Sequence, residues 1–379
     1  TRQKVIELYN NPLYQGSNFK HFHELLERRH SELPSFSLAT LRNILSEADI
    51  ISPMANRQTK KEHKKKMKAL DKANGIKEMP PQPQVSLPLD KDPHPRREKS
   101  KYAGELLYLD ASMHDWLEIG IKIHLHAAID DATGTVVAAF FELQETLSGY
   151  YKLMWQILLN YGIPYALQTD GRSIFEYAAF KNPSPDKESY TQFAYACKNL
   201  GVSIRTTPSA QAQGKIERLF GTLQSRLIVE LRLRGIKTIK EANEFLQVYL
   251  PQYNEQFATS HPHDTANVFE DKPSEEKINL TLAIIAKRTI DNGNCIRFEN
   301  NYYRLLDKRA KQVNLRPKTK VLVIKALDGK LYATFDESVF ALEKLNTHKE
   351  SSITFDEQKP HLKQKSIKIP DMTHPWKQD

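Results

Sequence analysis

Phe19, Phe22, Leu25 and Leu26 recur at helical spacing behind Ser17-Asn18, a pair suited to capping a helix start, and Pro34 ends the run. Ser37 then stands where it caps a second helix, whose Leu38, Leu41, Ile44, Leu45 and Ala48 share one face. Two short helices joined by a Pro-Ser turn predict a helix-turn-helix. Its second helix would offer Thr40, Arg42 and Asn43 to base edges in a major groove. A plain helical hairpin gives the same pattern.

From residue 104 the texture changes to short apolar runs. Leu106 to Leu109 ends in Asp110, Ile121 to Ile129 follows, and Thr135 to Glu142 comes after the turn residues Asp131-Ala132-Thr133-Gly134. A helix from Ser148 through Leu159 is stopped by Gly162-Ile163-Pro164, and a fourth strand, Ala166 to Thr169, runs into Asp170 and Gly171. Then come a helix over Tyr190 to Leu200, a strand over Val202 to Thr206 and a long helix near Gln211 to Arg234. The long helix has Ile216, Leu219, Phe220, Leu223 and Leu227 at core spacing, and a further helix covers Lys240 to Gln256. This order predicts an antiparallel meander followed by βα units, hence a mixed α/β sheet with helices on its faces. Residues 284–345 alternate with period two. Strands over Cys295 to Phe298, Tyr302 to Leu306, Val321 to Ala326 and Leu331 to Phe335, with turns at Asn292-Gly293 and Asp328-Gly329, predict a small β-barrel.

Charge adds a further division. The 379 residues carry a net charge of +9, and nearly all the excess lies between Arg57 and Lys101. That stretch holds Lys60-Lys61, Lys64-Lys65-Lys66-Met67-Lys68 and Arg96-Arg97, beside Pro80-Pro81-Gln82-Pro83, Pro88, Pro93 and Pro95. It predicts an extended basic linker, with Lys60, Lys61, Lys64, Lys65, Lys66 and Lys68 tracking phosphates of duplex DNA. A merely solvated linker is the plain alternative. The layout expected is therefore multidomain. It comprises an all-α helix-turn-helix region at 1–56, the basic linker at 57–103, an α/β core at 104–258, a connector at 259–283, the barrel at 284–345 and an extended tail at 346–379. No apolar run approaches the ~20 residues of a membrane-spanning helix. Two cysteines, Cys197 and Cys295, exclude a disulfide scaffold and a four-cysteine zinc site, and fit a reducing compartment.

Candidate chemistry lies in three carboxylates. Asp110 and Asp170 follow strand patterns, and Glu217 falls in the first turns of the long helix; strand ends and helix starts are where ligands gather in such sheets. Each acid alone reads equally well as a turn, cap or helix-dipole residue. Converging, they would need a divalent cation, and Mg²⁺ prefers hard oxygen ligands. A pair of ions ~3.5–4 Å apart suits in-line displacement at a phosphodiester. Asp130 and Asp131 read as hairpin residues, and His114 and His126 as structural rather than as ligands.

Leu107-Tyr108-Leu109-Asp110-Ala111-Ser112, Gln168-Thr169-Asp170-Gly171 and Gln213-Gly214-Lys215-Ile216-Glu217-Arg218 resemble the three acidic motifs of DDE transposases and retroviral-type integrases. The likeness covers order, setting and the Gly-x-x-Glu-Arg pattern, and spans about residues 104–255 as a ribonuclease H-like core. The flanking segments resemble the layout of bacterial insertion-sequence transposases, and His374-Pro375-Trp376-Lys377 is similar to tails in some of those families. The resemblance implies a DNA transposase that hydrolyses transposon ends to free 3′ hydroxyls and joins these to target DNA by transesterification. It implies Asp110, Asp170 and Glu217 as catalytic, metal-binding acids, with two Mg²⁺ per site and Mn²⁺ as a substitute. Lys215 and Arg218 would contact DNA near the reacting phosphate. The implied partners are double-stranded DNA and further copies of the chain, at least a dimer, with no membrane; the implied setting is bacterial cytoplasm, nucleoid-associated when on DNA. The chain departs from compact integrases in the long interval between Asp170 and Glu217, with the surplus placed at Lys181 to Tyr190, and in lacking a His-His-Cys-Cys zinc domain. Two rivals remain: a ribonuclease H-like nuclease, and a domesticated DNA-binding regulator without catalysis.

Overall fold

The computed structural model describes residues 1–55, 57–73, 98–170, 192–207, 213–259, 267–336 and 338–345, with backbone alone at 57, 58, 68–73 and 207. The chain divides into two compact units, Thr1–Leu282 and Ala283–Asp379.

The first unit opens with α1 (Arg2–Asn10), a 3-10 turn (Pro12–Tyr14), α2 (Phe19–Arg29) and α3 (Leu38–Glu47). The expected caps form. The Asn18 side chain accepts the His21 N–H at 2.9 Å, and Ser37 Oγ accepts the Thr40 N–H at 3.2 Å. Val5, Tyr14, Phe22, Leu25, Leu26, Leu41, Ile44 and Leu45 make one small core. The next stretch departs from the sequence expectation: Arg57–Ala73 is a 17-residue helix, α4, not extended chain. Its Lys, Gln, Glu, Met and Ala residues are strong helix formers, and neither Gly nor Pro interrupts them. The proline-rich run from Pro80 to Pro95 lies outside the described residues.

The central sheet contains β1 (Leu107–His114), β2 (Ile123–Asp130), β3 (Val136–Glu142), β4 (Ala166–Asp170) and β5 (Ser203–Thr207) in the order β3-β2-β1-β4-β5. The first three strands form an antiparallel meander, and β4 and β5 run parallel to β1. Helices α5 (Leu147–Asn160) and α6 (Gln192–Asn199) connect them, and α7 (Gly214–Leu233) and α8 (Ile239–Phe257) follow. Tyr108, Leu125, Ala127, Ile129 and Ala166 from the sheet bury against Ile216, Leu219, Phe220, Leu223 and Leu227 of α7 and Leu246 of α8. Helix α8 also guards the outer edge of β3. Asn254 bonds both backbone groups of Val136, and Asn243 both those of Phe141, at 2.7–3.0 Å.

One strand boundary needs correcting. The apolar run ends at Asp110, yet β1 continues to His114, because all eight of its residues pair with β2. Asp110 is therefore mid-strand. Its place is set by β4, which pairs with β1 only at Leu107↔Leu167 and Tyr108↔Gln168.

A short helix, α9 (Glu275–Thr281), closes the first unit. The second unit is an antiparallel sheet in the order β6-β9-β10-β11-β8-β7. Its strands are β6 (Ile284–Thr289), β7 (Cys295–Phe298), β8 (Asn301–Leu306), β9 (Lys320–Lys325), β10 (Leu331–Phe335) and β11 (Ser338–Leu345). An Ile290↔Ile296 bridge draws the outer strands together, so the sheet is nearly closed over Ile296, Leu305, Val323 and Ala333. β6 and β11 add to the four strands expected from the pattern. Between β7 and β8, Glu299 and Asn300 both take positive φ (47° and 62°), as a two-residue hairpin turn of the twisted ladder requires.

Candidate active site

The register of β1 and β4 builds the site. The β1–β4 ladder ends at Tyr108↔Gln168, and Asp110 and Asp170 each lie two residues beyond that pair on the adjacent strands. Side chains alternate along a strand. Asp110 therefore shares its face with Tyr108, and Asp170 shares its face with Ala166, the face buried under α7. Asp110 Oδ1 accepts the Ala111 N–H at 2.8 Å. Behind the pair stands Tyr150 of α5, fully buried, its hydroxyl donating to Glu145 Oε1 at 2.8 Å. Burial pushes the Tyr150 phenol up, and the charges of Asp110 and Asp170 push it further. Both acids thus lie within electrostatic reach of one hydroxyl.

Glu217 lies in the first turn of α7 and is exposed, while its neighbours Ile216, Leu219 and Phe220 enter the core. Among the described residues, no three His, Cys, Asp or Glu side chains stand close enough to hold one metal ion. The structure sets Asp110 and Asp170 on adjacent strands, each two residues past the last β1–β4 pair, and leaves Glu217 on the helix that covers their face.

Lys215, two residues before Glu217, is tied inward. Its ammonium pairs with Asp131 Oδ1 at 3.0 Å and donates to the Asp131 carbonyl. Burial lowers its pKa, partly offset by the Asp131 charge. Arg218 is exposed, with Nε donating to the Gly214 carbonyl at 2.8 Å. Asp130 and Asp131 do more than turn a hairpin. Asp130 accepts the N–H groups of Gly104 and Thr133 at 2.8 and 2.6 Å, and Asp131 accepts the Ser100 N–H at 2.8 Å. Both are buried. His126 is buried with neither ring nitrogen hydrogen-bonded, and burial lowers its pKa to about 4. His114 is exposed and packs edge-on to Trp116.

In the N-terminal helices Thr40, Arg42 and Asn43 are exposed on α3. The lysines of α4 fall into two groups. Lys60 donates to the Pro53 carbonyl at 2.6 Å, His63 bonds the Asp49 carbonyl at 2.8 Å, and Lys66 pairs with the Asp49 carboxylate. Lys61, Lys64 and Lys65 are exposed and make no ion pair among the described residues; the Lys68 side chain lies outside them. No helix among the described residues is long and apolar enough to cross a membrane.

A five-stranded mixed sheet in this order, with an aspartate near the end of the β1–β4 ladder on each of two adjacent strands, is compatible with an integrase-like core. No protein-family model matches the chain. It is 39% identical over 376 residues, 99% of its length and 79% of the relative's, to the transposase for insertion sequence IS1202 of Streptococcus pneumoniae. It is 38% identical over 165 residues to y4bF of Sinorhizobium fredii, also named as a transposase, a match covering 43% of this chain and 35% of that protein. Among solved structures, a chain of the simian T-cell lymphotropic virus intasome bound to PP2A regulatory subunit B56 gamma overlaps 86% of this chain and 99% of its own, at 14% identity and a TM-score of 0.34. The HTLV-2 integrase catalytic core domain in complex with magnesium, in its trimeric form, overlaps 38% of this chain and 82% of its own, at 17% identity and a TM-score of 0.29. On the near-full-length identity, the chain belongs to the insertion-sequence transposases.

Proposed function

We propose that this chain binds the ends of its element, hydrolyses a phosphodiester there to free a 3′ hydroxyl, and joins that hydroxyl to target DNA by transesterification. The observation that carries this reading is that Asp110 and Asp170, each two residues past the last β1–β4 pair, both lie within electrostatic reach of Tyr150, on the sheet covered by the helix whose first turn bears Glu217. Two carboxylates on one face repel each other and offer only hard oxygen donors, a donor set that suits a divalent cation. Asp110 and Asp170 would hold Mg²⁺, or Mn²⁺ in its place, as two ions, with Glu217 drawn in from the first turn of α7, since the three do not stand within reach of one ion in this structure. Bound there, the metal supplies charge stabilisation for the attacking and leaving oxygens.

The rest of the chain places DNA. Thr40, Arg42 and Asn43 on α3 read the transposon end as the recognition helix of a helix-turn-helix. Lys61, Lys64 and Lys65 on α4 track its phosphates, with Lys60, Lys66 and Lys68 adding charge along the same helix. Arg218 contacts the backbone beside the reacting phosphate. The barrel binds DNA or a second subunit. Two ends cut together call for at least a dimer, working in bacterial cytoplasm on the nucleoid.

The test mixes the full chain with Mg²⁺ and duplex DNA carrying the element's ends, and looks for nicked and joined products. Asp170→Asn is expected to abolish both while keeping end binding, because it removes a metal ligand and not a phosphate contact. Normal joining by that variant would overturn the assignment. Cleavage without joining would favour a nuclease, and binding with neither would favour a regulator.

A further inference from the structure

The C-terminal half of α7 is not solvent-facing: it is the platform on which the N-terminal helices sit. Arg226 grips Glu24 of α2 with two nitrogens, at 2.7 and 3.2 Å, and Gln256 of α8 donates to the same carboxylate at 2.6 Å. One turn on, Glu230 accepts from His21 at 3.1 Å and from Arg28 and Arg234 at 2.5 Å each. Arg232 pairs with Glu118 in the β1–β2 loop at 2.6 Å. It also donates to the carbonyls of Pro12, Leu13 and Gln15 at 3.1, 3.2 and 2.7 Å. Val229 enters the N-terminal core itself. Arg226, Glu230 and His21 are 5%, 3% and 1% exposed.

Such a joint cannot slide. A shift of one residue would leave buried charges without their partners, and in the interior that is strongly unfavourable. The joint also has two working ends. On one side, α2 shares its core with α3, through Phe22 and Leu25 against Leu41 and Leu45, and α3 exposes Thr40, Arg42 and Asn43. On the other side, α7 runs nine residues back from Arg226 to Glu217, about 14 Å of helix. On the way Gln224 donates to Ser112 of β1 at 3.2 Å, two residues from Asp110. The reading surface, the joint and the acids form one packed body. A domain held only by a linker would let the reading surface wander relative to the acids.

We propose that the α2–α7 joint fixes the distance along the DNA between the sequence read by α3 and the phosphodiester that is cut, so that Glu24, Arg226, Glu230 and Arg232 are positioning residues for the cleavage position. This rests on the transposase reading above and deepens it: the joint decides where the site acts, not whether it acts.

The test uses the full chain, Mg²⁺ and an end-labelled duplex carrying the element's end, with cleavage mapped to the nucleotide. The unaltered chain is expected to cut at one position. Glu24→Arg or Arg226→Glu alone is expected to raise products at neighbouring positions at least ten-fold, with affinity for the end unchanged. The double exchange Glu24→Arg with Arg226→Glu is expected to restore the single position. Thermal melting checks folding of each variant. Glu24→Gln, which removes the charge and keeps the shape, carries the test if a reversal unfolds. Cutting at one position by the folded single variants would overturn the proposal and leave the transposase reading standing, as would scatter that the exchange fails to restore. No cutting by the unaltered chain would overturn the reading and the proposal with it.

Discussion

Lys215 and Asp131 are ion-paired at 3.0 Å across the start of α7. Asp131 also takes the Ser100 N–H, so one carboxylate ties the helix start, the β2–β3 turn and the chain leading into β1. A lysine spent this way holds the fold rather than a phosphate. Lys215→Met is therefore expected to lower unfolding stability by about 2 kcal/mol, because it leaves Asp131 buried without its cation. The dependence of DNA affinity on salt is expected to stay as it was. Chemical denaturation and binding titrations at several salt concentrations check the two halves. A slope lower by ~0.9 with unchanged stability would make Lys215 a phosphate contact instead.

His126 gives a pH dependence with a definite sign. Burial lowers its pKa from 6.5 to about 4, so the unfolded chain takes up the proton first as pH falls. The stability from keeping this ring neutral is complete above pH 6.5 and drains away between there and about pH 4. The loss reaches about 3 kcal/mol in order of magnitude. Denaturation measured from pH 7.5 to 5, above the main carboxylate range, is expected to show this decline and His126→Leu to flatten it. An unaltered slope in the variant would place the titration elsewhere.

Gly149 packs against the same ring. A Cβ there would stand 2.5 Å from His126 Nε2 and 2.8 Å from Glu142 Oε2. Gly149→Ala is expected to cost about 1–3 kcal/mol by overpacking, although alanine is the better helix former. Combining it with His126→Ala, which opens the space, is expected to cost less than the two changes added. Strict additivity in thermal melts would show that the ring is not the obstacle.

What the sequence made legible was local. Asn18 and Ser37 cap their helices because a cap needs only the next three residues. The same holds for the Asp328-Gly329 turn between β9 and β10. What it hid was long-range. The apolar run stops at Asp110, but β1 does not, since its continuation depends on pairing with β2 rather than on burial. Asp130 and Asp131 look like turn residues until Gly104, Ser100 and Lys215 are folded against them. Helix α4 was obscured by the prolines beyond it. Glu24, Arg226 and Glu230 each resemble ordinary surface charge in a helix, and only the docking of α2 on α7 buries them. Of the candidate acids, Asp110 and Asp170 fall on adjacent strands through the β1–β4 pairing, which no single-strand pattern contains.

The lysines of α4 provide the most graded test. If the helix lies along DNA, each lysine that neutralises a phosphate releases counterions, and its loss lowers the log–log salt slope by ~0.9 on duplex DNA. The structure ranks them. Lys60 is bonded to the Pro53 carbonyl and Lys66 is paired with Asp49, so both must give up a partner to reach a phosphate. Lys61, Lys64 and Lys65 give up none among the described residues. Replacing these three with Gln is expected to lower the slope by nearly 3 and to weaken binding alike on element ends and unrelated duplex. Replacing Lys60 and Lys66 is expected to lower it by less than 1, while loosening α4 from the end of α3. Binding titrations across a four-fold range of salt, with helicity followed by circular dichroism, separate these outcomes. An equal loss of slope per lysine in both sets would mean that the pairings to Asp49 and Pro53 do not restrain their lysines. No change in either would leave α4 a solvated helix away from DNA.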